Sequence, residues 1–87
     1  MISNMSKIQK SIFNQKYRDF IASIVKQRQS IHMTQRQLGD KLGVGQCYIA
    51  RVETHERRLD LLESIQMMRA LEMSDEQIID EIKKLMQ

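Results

Sequence analysis

The chain has no proline, and its three glycines all fall between Gly39 and Gly45. Proline and glycine are the residues that most often punctuate β structure, so a sheet protein needs them spread along its length. Outside this window the chain must rely on helices that start and stop on polar capping residues. Inside it, the clustered glycines point to one tight turn. The expected fold class is therefore all-α.

Apolar periodicity agrees with this reading. Asn14 is placed to N-cap a first helix reaching about Ile31, with Tyr17, Phe20, Ile21, Ile24, Val25 and Ile31 recurring on one face. Thr34 and Gln37 form a capping-box pair for a second helix, Gln35 to about Leu42, with Leu38 and Leu42 as its apolar pair. Gly43 follows as a left-handed terminator, and Val44 plugs inward. A third helix runs from about Gln46 to Glu53, buries Ile49 and Val52, and leaves Gln46, Cys47, Tyr48, Ala50 and Arg51 on other faces. A fourth, about Leu61 to Leu71, is expected to bury Leu62, Ile65, Met68 and Leu71. Ser74 caps a fifth from Asp75 to about Met86, with acids in its first turn and Lys83 and Lys84 near its end, as the helix dipole favours.

With 87 residues the chain is expected to hold one domain, residues 13–87, behind a polar arm of residues 1–12. A domain this small hides only about 60–65% of its unfolded surface, so a partner subunit would add stability. The single cysteine excludes an internal disulfide, no apolar run approaches the roughly 20 residues of a membrane span, and the first residues lack a signal-peptide core. The expected location is the cytoplasm. Net charge is uneven: residues 1–58 carry +7 and residues 59–87 carry −4. A basic front suits a face laid on a polyanion.

The stretch Thr34–Glu53, TQRQLGDKLGVGQCYIARVE, has two short helices, a three-residue turn, and a small residue, Gly39, where the helices must approach. That is the pattern of a helix-turn-helix that reads DNA. The first of the two helices offers N-terminal amides to a phosphate, and the second projects its first turns into the major groove, where every base pair shows a distinct pattern of donors and acceptors.

On Thr34-Gln35, Leu38-Gly39, Leu42-Gly43-Val44, Gln46, Ile49 and Val52-Glu53, the chain resembles the phage repressor and Cro (XRE) family of helix-turn-helix regulators over about residues 14–72. The segment Glu56-Arg57-Arg58-Leu59-Asp60 is similar to a tract common in small bacterial members. The resemblance implies a five-helix, lambda-repressor-like domain with the helix-turn-helix at helices two and three. It implies base contacts from Gln46, Cys47 and Arg51, phosphate contacts from Gln35 and Tyr48, and a structural pair between Arg28 and Glu53. Arg36, Arg57 and Arg58 are further phosphate candidates. Gln suits adenine and Arg suits guanine, while Cys47 is a poor hydrogen-bonder and fits an apolar contact such as a thymine methyl. The sequence departs from the family at Gly45, where a Ser or Thr cap is usual, and at His55, where Gly is common.

Several features read more simply. Cys47 has no resolving partner, His32 and His55 are lone histidines, and the seven methionines suit core filling, so no metal, cofactor or catalytic centre is expected. Lys7 and Lys10 read as a solvated tail, with minor-groove entry as the alternative. Ile78, Ile79, Ile82, Leu85 and Met86 give the last helix a broad apolar surface, expected to form a two-fold dimer interface together with part of the fourth helix. The resemblance thus implies a homodimeric regulator of double-stranded DNA, a repressor of bacterial or phage origin. An antitoxin or a restriction–modification controller would have the same fold. A protein-interaction module that kept the fold is the rival class.

Overall fold

A computed structural model describes residues 14–87, which form five helices: α1 Gln15–Ser30, α2 Gln35–Leu42, α3 Gln46–Glu53, α4 Leu61–Ala70 and α5 Asp75–Leu85. The arm expected over residues 1–12, with Lys7 and Lys10, lies outside the described residues.

Four helices begin on a side chain that takes up an otherwise orphaned amide. Asn14 caps α1, and Thr34, Asp60 and Ser74 head full capping boxes with Gln37, Glu63 and Gln77. Four helices end alike. After α1, the Met33 N–H returns to the Arg28 carbonyl at 3.0 Å and the His32 N–H to Gln29 at 3.0 Å. The same pair of bonds closes α2 at Val44 and Gly43, α3 at Glu56 and His55, and α4 at Met73 and Glu72. This closure needs a left-handed residue. Gly43 supplies it at φ 72, but His32, His55 and Glu72 adopt φ 56, 66 and 65 without being glycine.

The capped helices surround one core. Phe20, Ile21 and Ile24 of α1 meet Leu38 of α2, Ile49 and Val52 of α3, Met67, Met68 and Leu71 from α4 and its end, Leu59 ahead of α4, and Ile78 of α5. Each such side chain adds about 1.5–3 kcal/mol when fully buried. Polar ties reinforce the packing at the end of α4: Gln27 donates to the Leu71 carbonyl at 2.9 Å and Lys41 to that of Ala70 at 2.7 Å. The Tyr17 hydroxyl accepts the Leu59 N–H at 3.1 Å.

Two expectations are corrected. Leu62 is 63% exposed, and Met67 is buried in its stead. A string of residues spaced by three drifts around a helix of 3.6 residues per turn, so Leu62 lies about half a turn from Leu71 and cannot share its face. Ile78, expected on a dimer interface, is only 5% exposed and belongs to the core. Ile82 is partly buried against the same core, because α5 turns this edge toward α1.

Candidate nucleic-acid interface

The turn between α2 and α3 is fixed by backbone proximity. A β-carbon on Gly39 would lie 2.9 Å from the Val44 carbonyl oxygen, too close to fit without movement of the turn. Gly39 therefore lets α3 begin directly against α2, while Val44 packs against the core. Gly45 opens α3 in an extended conformation with no side-chain cap.

Anchored this way, α3 has two unlike faces. Ile49 and Val52 are fully shielded. Gln46, Cys47 and Arg51 are exposed, with half-buried Ala50 between them. Positions three and four residues apart adjoin on a helix, so Gln46 meets Ala50, and Cys47 meets both Ala50 and Arg51, in one outward stripe. It holds an amide, a thiol, a methyl and a guanidinium, which together can donate, accept and make apolar contacts to base edges.

The stripe is braced from behind. Arg28 on α1 grips Glu53 at the end of α3 through Nε to Oε2 at 2.7 Å and Nη2 to Oε1 at 3.0 Å, and its Nη1 donates to the Met33 carbonyl at 2.9 Å. Gln35 of α2 donates to the same Glu53 Oε1 at 2.9 Å. Three helices are thus joined at one carboxylate. The Gln35 side chain, implied as a phosphate ligand, is directed inward to Glu53 here. Its backbone amide stays at the start of α2, where the dipole favours an anion.

A second cluster lies at the other flank of α3. The Tyr48 hydroxyl donates to Glu63 Oε2 at 3.1 Å, Arg57 Nη2 donates to the same oxygen at 3.1 Å, and the Arg57 guanidinium lies 4.7 Å from the centre of the Tyr48 ring. Arg57 and Tyr48, both phosphate candidates, are therefore brought together. The Asp60 N–H, then the Tyr48 hydroxyl and Arg57, hold the Glu63 carboxyl below its ordinary range, and Tyr48 and Glu63 raise that of the Arg57 guanidinium. Sequence reasoning did not single out Glu63. The signal was present as D-x-x-E at Asp60–Glu63, which marks a capping box. The side chain's second role arises only where α3, the loop and α4 meet. Arg36 and Arg58 are exposed on α2 and in the loop before α4.

Among the described residues no group of three or more His, Cys, Asp or Glu is arranged to hold a metal, and no helix is long and apolar enough to cross a membrane. No curated protein and no solved structure matches the chain significantly. A model of the Helix-turn-helix family, of the XRE and lambda-repressor type, matches residues 24–78, which span the end of α1 through the start of α5 and include the whole exposed stripe. The chain thus belongs to this family of helix-turn-helix DNA-binding regulators.

Proposed function

We propose that this regulator is a homodimeric repressor that reads a two-fold symmetric operator, with one α3 in each half-site. The carrying observation is the outward stripe of Gln46, Cys47, Ala50 and Arg51 on a helix whose other face is sealed into the core. In this reading Gln46 and Arg51 bond base edges and Cys47 makes an apolar contact. Arg36, Tyr48, Arg57, Arg58 and the amide end at Gln35 hold backbone phosphates, which orient the protein without carrying sequence information.

The dimer is supported by apolar surface that the monomer leaves uncovered. On α5 and at its C-cap, Ile79, Leu85 and Met86 are 52%, 38% and 79% exposed, and Leu61 and Leu62 at the start of α4 are 67% and 63% exposed. Leu61 and Leu85 line a single apolar recess of about 180 Å³ with Tyr17, Phe20 and Met68, so they share one surface. Ile78 plays no part in this proposal.

Selection from a random-sequence DNA pool at near-physiological salt tests the reading. The expected product is a palindrome with half-sites about 34 Å apart, one helical turn. Recovery of a single asymmetric site, together with a monomeric mass by sedimentation, would overturn the dimer. A pool without enrichment would favour a module that binds protein instead.

A further inference from the structure

Glu63 is an acid placed among candidate phosphate ligands, where a carboxylate alone would repel DNA across a Debye length of about 10 Å at 0.1 M salt. Its surroundings indicate a different role. Its Oε1 accepts the Asp60 N–H at 2.9 Å, while its own N–H donates to Asp60 Oδ1 at 2.7 Å, so the carboxylate is pinned to the start of α4. From that fixed point Oε2 receives both Tyr48 and Arg57. Arg57 comes from the loop between α3 and α4, and its backbone N–H is tied to the Arg51 carbonyl at 3.1 Å. Its side chain remains 46% exposed, and Glu63 engages the guanidinium through Nη2. Arginine carries five donors, and the rest of the fork stays available for a phosphate.

We infer that Glu63 is a positioning residue that holds Arg57 over the Tyr48 ring for one backbone phosphate. Removing this acid therefore weakens DNA binding, even though it makes the surface more positive. The inference rests on the DNA-binding reading of Tyr48 and Arg57. Arg57 is a long side chain at a loop position, and without Glu63 it must be ordered by the DNA itself. Ordering one rotamer-rich side chain corresponds to about a two- to tenfold change in affinity. Repulsion by a half-exposed carboxylate acts in the opposite direction and is screened by salt.

The test is Glu63→Gln, measured with a fluorescein-labelled duplex of mixed sequence over a range of salt. Glutamine still satisfies the capping box through its carbonyl oxygen. Its amide nitrogen then faces both Tyr48 and Arg57 as a donor: the Tyr48 hydroxyl can turn and accept from it, whereas the guanidinium has no acceptor, so the Arg57 bond is lost. Circular dichroism and thermal unfolding check that the fold is kept. The expected result is a two- to tenfold loss at moderate salt, with little or no loss when the same change is made in an Arg57→Ala background. Binding equal to or tighter than wild type overturns the inference, as does an equal loss in both backgrounds, which would make Glu63 a helix cap alone. A wild-type protein that fails to bind the duplex removes the phosphate reading and this inference with it. A wild type that binds while Glu63→Gln binds more tightly removes only the inference.

Discussion

The Arg28 guanidinium holds both carboxylate oxygens of Glu53, and the two side chains are only 12% and 8% exposed. One end of α3 is thereby fixed to α1. Arg28→Ala leaves a shielded carboxylate without its counter-charge, which is expected to cost about 2–4 kcal/mol. Urea unfolding measures it. Arg28→Lys should restore only part of the loss, because an ammonium cannot span both oxygens and the Met33 carbonyl.

The turn glycines should behave oppositely. Gly39→Ala places a β-carbon 2.9 Å from the Val44 carbonyl, where only backbone movement relieves it, and is expected to destabilise by about 1–3 kcal/mol despite alanine's higher helix propensity. At Gly45 the nearest atom to an added β-carbon is 4.0 Å away, so Gly45→Ser fits and supplies the missing cap, adding a few tenths of a kcal/mol. Paired melts decide both.

Two arginines separate recognition from attraction. Arg51→Ala should flatten preference at one base position and cost about 1–3 kcal/mol on the selected site, with far less effect on random DNA. Arg57→Ala should weaken both alike and lower the salt slope by about one. Equal losses on both DNAs for Arg51→Ala would remove it from the base-reading set.

The left-handed helix ends offer stabilising changes. His32 and Glu72 carry the strain of φ 56 and 65, and Glu72→Gly or His32→Gly should raise stability by about 0.5–1 kcal/mol. For a domain of this size each kcal/mol appears as about 4–8 °C in Tm.

Glu63 sets a pH dependence of defined sign. Its folded-state pKa is lowered, so the folded protein takes up that proton less readily than the unfolded chain. The stabilisation is present above the unfolded glutamate value of about 4.3 and is lost as pH falls through the lower folded value. Glu63→Gln should therefore lower Tm modestly near neutrality, and the difference from wild type should shrink as the pH of the melts falls below about 4.5. The group is partly exposed, so the effect is modest.

The helix-turn-helix was legible because its constraints are local. Thr34 with Gln37, Gly43 after Leu42, and the pair Ile49 and Val52 each report on residues within one turn of themselves. Leu62 and Ile78 were misread because burial depends on where a helix lies against its neighbours. Along α4 a spacing of three could not say at which end the core begins, and along α5 Ile78 and Ile79 look alike until packing separates them. Glu63 was readable as a cap. Its contacts with Tyr48 and Arg57 join residues 15 and 6 positions away, which no periodicity records.

The bare start of α3 sets this helix apart. The other four described helices close their first turns with an oxygen from their own chain and are largely indifferent to the solution around them. Gly45 supplies none, so the opening turn that presents Gln46 and Cys47 is completed from outside. Its first amides are left to whatever surrounds them, so on the DNA-reading proposal an anion bound there would tighten the turn that water leaves looser, and the segment that chooses sequence would gain order from the polymer it reads.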